Sequence, residues 1–265
     1  YHEKLTIEEV KIFLAPAGHV LGSAQVVMNF AKQIITVSGD YKRQDDPTCA
    51  AFEPIKSDIF ITEATFALPV FKHPNANTQI NLLIKSIQNF PERCHVIGVY
   101  SLGKAQRLIK MLRNNGWHNT IYLHGSLVKI CNLYEKFGID LGDLEPATIQ
   151  DKPEKPHDFY KGKLILAPPS ALADRWSRRF PDPILGMASG WMTVKQRAKQ
   201  RGINLPLILS DHADWNEILT TIKEVSPKEV WITHGAEEAL IYECSKNNLT
   251  AKALSIIGYE SDTDL

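Results

Sequence analysis

Four apolar runs in this chain each stop on a side chain able to hold a metal or move a proton, and they lie at its two ends. QIITVSGD (33–40) ends on Asp40, and SDIFITEAT (57–65) carries Glu63 near its end. Far downstream, LPLILSDHADW (205–215) runs into His212, and EVWITHG (229–235) into His234. Runs of this length, bounded by Gly, Ser and Asp, read as strands, and open α/β sheets place their active residues where strands end. A fifth stretch, LAPAGHVLGSAQVVM (14–28), reads as strand, glycine turn, strand and carries His19 between its two glycines. The simplest chain path gathers both ends into one α/β domain.

Between these ends the grammar changes to alternating helix and strand. TQINLLIKSIQNF (78–90) spaces Ile80, Leu83, Ile84 and Ile87 as one helical face, CHVIGVYS (94–101) is a buried-type strand, and KAQRLIKMLRNNG (104–116) is a helix stopping near Gly116. TIYLHG (120–125) and KLILAPPS (163–170) are further strands, and the polar, proline-bearing residues 141–162 read as a surface loop. NEILTTIKEV (216–225) is an amphipathic helix of the returning chain. The expected domains are 1–66 and 205–265 together, with 67–204 inserted between them as a second α/β unit.

With 44% hydrophobic residues over 265 positions there is ample material for cores, and 30 basic against 30 acidic residues leave no global field toward polyanions or anionic lipid. Cys49, Cys94, Cys131 and Cys244 stand singly with no C-x-x-C pair, which argues against a disulfide framework or a thiolate zinc site. A reducing cytoplasm, with no membrane association and no export signal, is the expectation. The chain opens on Tyr1 and is already strand-like by Lys11, so removal of an upstream portion is also expected.

Each candidate has an ordinary structural alternative. His19 could be a turn residue, Asp40 an Asx turn, Glu63 a solvated strand end, and Asp211 or Asp214 a helix cap. His234 could lie in a loop with no ligand role. His2, His73, His95, His118, His124 and His157 are taken as surface or packing residues. For polyanions the local candidates are Ser101, Gly103 and Lys104 in SLGKAQR, where a strand feeds a helix N-terminus. Arg175, Arg178 and Arg179 follow, as do Lys195, Arg197, Lys199 and Arg201, whose spacing equally suits a solvated helix face. Trp176 and Trp191 are read first as packing residues.

In order along the chain, these stretches resemble the metallo-β-lactamase fold in its β-CASP nuclease branch. AGHVLGSA is similar to that family's third motif, whose histidine binds metal, and SGDYKRQDD to its fourth, whose aspartate bridges two metals. ITEATF, SDHADW and THGAEEAL resemble motifs A, B and C. Within the branch, SDIFITEATFALPVF, SLGKAQRL, LAPPSALADRW and ASGWM look most like bacterial ligase-associated DNA exonucleases, also labelled mRNA 3'-end processing factors.

The resemblance implies an α/β metallo-β-lactamase αββα sandwich, N-terminally incomplete, with an inserted α/β β-CASP domain. It implies two divalent ions, zinc or manganese, with His19 and His234 each ligating one and Asp40 bridging them. His212 would be the general acid, and Glu63 would orient it and raise its pKa. The implied activity is a DNA exonuclease in repair, with DNA before RNA as substrate and a DNA ligase or helicase as partner. A histidine at motif C is associated with RNA-processing members, which makes an RNA 3'-end nuclease the first rival, and a non-catalytic nucleic-acid-binding or scaffold subunit is the second. The family's second motif, H-x-H-x-D-H, is absent from this sequence, so the chain as given is expected to be inactive or impaired.

Overall fold

The computed structural model describes residues 1–148, 159–180 and 182–254. The chain divides into two compact units, one formed by Tyr1–Asp45, Cys49–Lys72 and His212–Leu265, the other by Asp46–Thr48 and His73–Asp211. The long exchanges of chain therefore fall at 72/73 and 211/212, against 66/67 and 204/205 in the sequence reading.

The first unit opens with an antiparallel meander, β1 (Leu5–Ile7), β2 (Val10–Pro16), β3 (Ala24–Phe30) and β4 (Gln33–Val37). β5 (Ile59–Ala64) then joins β4 in parallel. In β3 and the first part of β5 alternate residues are buried, Gln25 and Val27 in one and Phe60 and Thr62 in the other, as the two-residue period of a strand with unequal faces demands, while at the end of β5 Glu63 and Ala64 are both buried.

Among its described residues the second unit holds six strands, all paired in parallel: β6 (His95–Gly98), β7 (Ile121–Leu123), β8 (Leu144–Pro146), β9 (Leu164–Ala167), β10 (Ile184–Ala188) and β11 (Leu205–Leu207), in the order β11-β10-β6-β9-β7-β8. β6, β7 and β9 are buried along their whole length, the mark of a parallel sheet covered on both faces. Helix α1 (Ala76–Asn89) buries Ile80, Leu83 and Ile87, and α2 (Lys104–Asn114) follows β6. α3 (Gly125–Lys136) buries Leu127, Cys131 and Tyr134, a stripe that the sequence reading passed over. A short α4 (Lys195–Gln200) follows β10.

Two assignments change. The loop expected over residues 141–162 contains β8, a three-residue edge strand whose proline and acidic neighbours hide it. Residues 149–158 of that loop, His157 among them, lie outside the described residues. β11, read as a strand of the returning chain, instead pairs with β10 as the edge of the second sheet.

The chain then re-enters the first unit. α5 (Trp215–Val225) starts at Asp214, whose side chain accepts from the Glu217 N–H while the Glu217 carboxylate accepts from the Asp214 N–H. This reciprocal cap satisfies two amides that would otherwise be orphaned. β12 (Glu229–Gly235) lies parallel to β5, and after α6 (Glu237–Lys246) the chain ends its described course in β13 (Thr250–Ala253), giving the order β1-β2-β3-β4-β5-β12-β13.

Phe60, Val230 and Ile232 of the sheet meet Ile218 and Ile222 of α5 and Leu240 and Cys244 of α6 in one core. The opposite residues, Val26, Met28, Ile35, Ile61 and Trp231, are only half-buried. Among the described residues the first unit thus contains one sheet layer and one helical layer of the expected sandwich. No helix among the described residues is long and apolar enough to cross a membrane.

Candidate metal centre

His19 sits in the tight connection between β2 and β3, and its backbone is held from several sides. Ser23 Oγ accepts from the His19 N–H at 3.0 Å and the Val20 N–H at 3.1 Å, while Lys42 Nζ donates to the His19 carbonyl at 3.1 Å. Lys42 is buried. Gly18 makes the approach possible: its φ is +72°, and a Cβ there would lie 2.5 Å from the Lys42 carbonyl oxygen and 2.9 Å from the Phe52 nitrogen. Only glycine tolerates both conditions.

Asp40 follows β4, where the Ser38 N–H still donates to the Ile61 carbonyl and keeps the strand end against β5. Its Oδ2 lies 3.8 Å from His19 Nε2. His212 completes the group: its ring centroid is 4.8 Å from that of His19, and one ligand atom each from His19, Asp40 and His212 lie within 4.8 Å of one another. Two imidazole nitrogens and a carboxylate oxygen, without thiolate, form a donor set suited to zinc or manganese, and three protein ligands leave positions open for substrate.

Glu63, at the end of β5, is buried and turns both carboxylate oxygens to work. His212 Nδ1 lies 2.9 Å from Oε2 and 3.1 Å from Oε1, the Tyr41 N–H donates to Oε1 at 2.7 Å, and the Thr65 hydroxyl donates to Oε2 at 2.5 Å. Burial pulls the Glu63 pKa upward, but the His212 charge and these hydrogen bonds outweigh it and hold the carboxyl below its ordinary value. An ionised Glu63 keeps the proton on His212 Nδ1 and leaves Nε2 as the nitrogen that can face a metal or a leaving group. Phe66 packs its ring edge-on to His212 at 6.1 Å.

A depressed folded-state pKa stabilises the fold above the unfolded value and loses that contribution as pH falls through the folded one. Glu63→Gln is therefore expected to cost about 2 kcal/mol near neutral pH, the size of lost hydrogen bonds to a charged group. The difference from wild type should close as pH drops below the ordinary carboxylate range. Urea unfolding of both proteins from acid to neutral pH checks this, and a pH-independent difference would contradict it.

His234 also belongs to the first unit. It ends β12 in the left-handed region, with φ +57°, and is exposed, and the three-residue group does not include it. Its neighbour Thr233 pairs with Glu63 across β12 and β5.

The candidates for polyanion contact lie in the second unit. Lys104 is buried, its Nζ 2.6 Å from Asp211 Oδ2. Around Gly103 the amides are already engaged: Gly103 N–H with Gln106 Oε1, Lys104 N–H with the Leu102 carbonyl and Ala105 N–H with the Tyr100 carbonyl. Ser101 gives its carbonyl to Gln106 Nε2. Arg175 and Arg178 are exposed, whereas Arg179 stacks over Trp176 with 5.0 Å from its guanidinium carbon to the ring. His124 caps α3 and packs against Trp176, and His95 is buried in β6 against Ser86, where burial and then the charge of Arg93 push its pKa down to about 4.

The support around the site, Lys42, Tyr41 and Thr65, carries no signal in the sequence pattern. Only Asp214 of the two proposed caps serves as one, because Asp211 is turned toward Lys104.

A family described as "Zn-dependent metallo-hydrolase RNA specificity domain" matches residues 206–245. The protein named "Uncharacterized protein in lig 3'region" of Acidianus ambivalens is 30% identical over 142 residues, 52% of this chain and 97% of that protein. A "Probable DNA ligase" of Opitutus terrae is 26% identical over 265 residues, 95% of this chain but 24% of its own length. The "Cleavage and polyadenylation specificity factor 73" of Drosophila melanogaster is 34% identical over 140 residues, 49% of this chain and 20% of its own. The chain belongs to the β-CASP branch of the metallo-β-lactamase family. Its fold is accordingly a metallo-β-lactamase domain carrying an inserted β-CASP domain. The chain spans about a quarter or less of the length of the ligase and the cleavage factor.

Proposed function

We propose that the chain carries the phosphodiester-cleaving centre of a metal-dependent nuclease, acting on DNA ends before RNA. The observation that carries this is the juxtaposition of His19, Asp40 and His212 with Glu63 buried behind His212. His19 and Asp40, with His234 as the further ligand that family resemblance suggests, would hold the two divalent ions, zinc or manganese, beside the His212 ring. Bound there, the ions would act as Lewis acids on a phosphoryl oxygen.

The chain's own residues supply the rest. Lys42 and Ser23 hold the His19 backbone, so its ring needs little reorganisation on ligation. Glu63 fixes the His212 ring through Nδ1 and stabilises the imidazolium, which lets Nε2 give a proton to a departing ribose or deoxyribose oxygen. Phe66 shields one edge of that ring.

The DNA reading is supported by the ligase-named relative that matches 95% of this chain. A second reading, RNA 3'-end processing, is favoured by the RNA specificity description over residues 206–245 and by likeness to the polyadenylation factor. End-labelled single-stranded DNA and RNA, incubated with the natural protein and graded zinc or manganese, separate the two. Metal-dependent shortening of DNA ahead of RNA is expected. Faster loss of RNA would move the chain to the RNA reading, and binding of either polymer without cleavage at saturating metal would leave a scaffold.

A further inference from the structure

Four charged side chains are buried together in the second unit with almost no solvent access. Lys104 and Arg107, one turn apart on α2, face Asp46 and Asp211, and the exposures of the four side chains are 4%, 0%, 3% and 5%. Lys104 Nζ is 2.6 Å from Asp211 Oδ2, and Arg107 Nη1 donates to the Ser210 carbonyl at 2.5 Å while lying 3.7 Å from Asp211 Oδ1. Arg107 Nε lies 3.8 Å from Asp46 Oδ2, whose other oxygen accepts from the Thr48 N–H and hydroxyl. Two cations meet two carboxylates, so the cluster is neutral as a set.

Such a cluster is a poor route to stability, because desolvating four charges offsets most of their attraction and apolar packing would serve as well. What it does provide is direction. It fixes the main chain at 210–211, and the next residue is His212. It also fixes residue 46, six positions after Asp40.

We propose that α2 anchors the His212 segment, with Lys104 and Arg107 as positioning residues that act on the His212 ring through Asp211 and the Ser210 carbonyl. This rests on His212 being a site residue, as argued above. The two cations are then structural determinants of the centre and not contacts for the phosphate backbone, a role that their basic charge alone would suggest.

The test reads the imidazole ring signals of His212 and His95 by nuclear magnetic resonance in metal-free protein. His95, hydrogen-bonded to Ser86 in the same unit as α2, is the internal control for general loosening. In folded Lys104→Met, Arg107→Lys and Asp211→Asn proteins, the His212 signals should shift or broaden while those of His95 stay in place. If single substitutions unfold the chain by stranding a buried charge, Lys104→Met/Asp211→Leu removes both members of the pair and is read the same way. Unmoved His212 signals overturn the proposal, as do equal changes at both histidines or loss of fold in every variant. The readout needs neither metal nor substrate, so it fails or holds independently of the nuclease reading.

Discussion

His212→Ala is expected to lower metal-dependent phosphodiester cleavage by about 10²–10⁴-fold, the usual contribution of a positioned proton donor. The expectation follows from how the ring is held. Nδ1 is committed to a buried, ionised Glu63, so Nε2 is the reactive nitrogen. Because His212 also falls within ligand distance of His19 and Asp40, the variant separates two roles. As a proton donor, its loss should leave manganese affinity within a few-fold of wild type and remove the alkaline limb of the rate profile. As a ligand, its loss should lower affinity and rate together. Cleavage within threefold of wild type would take His212 out of the chemistry.

What could be read from the sequence was what periodicity and strand ends encode. The stripes of α1 and α5 were visible because their buried residues recur at helical spacing over several turns. His19, Asp40, Glu63 and His212 were visible because each follows an apolar run, and the structure brings the four into one neighbourhood of the first unit. Short elements were harder: β8 has three residues, including a proline, and β11 has three residues whose sheet membership depends on partners nineteen positions upstream. Lys42 and Arg107 were beyond reach, and the role of Lys104 with them, for a different reason. A buried, paired cation has the same letter as a solvated one, so Lys104 read as a phosphate contact when its charge is spent on Asp211.

Gly235→Ala is expected to destabilise the protein by about 2–5 kcal/mol, adding backbone strain to overpacking. Gly235 holds φ at +136°, and a Cβ there would stand 2.1 Å from the Ala64 carbonyl oxygen, 2.3 Å from its carbon and 2.7 Å from the Thr65 nitrogen. All three are main-chain atoms, so no side chain can swing aside to make room. The place also matters. β12 shifts register against β5 between Thr233 and Gly235, and the Ala236 N–H closes the shift by donating to the Ala64 carbonyl at 3.0 Å. Relief of the clash must push β5 at Ala64, which lies between Glu63 and Thr65, and Thr65 is one of the groups keeping Glu63 ionised. A loss of this size is a large share of the roughly 5–15 kcal/mol that holds a typical domain together, so the variant should show a much lower urea midpoint. Where it stays folded, the His212 ring signals should move with it. An unfolding free energy within about 0.5 kcal/mol of wild type, the range of ordinary surface substitutions, would mean that the backbone at 64–65 yields at little cost and that the close approach of β12 does not hold Glu63 in place.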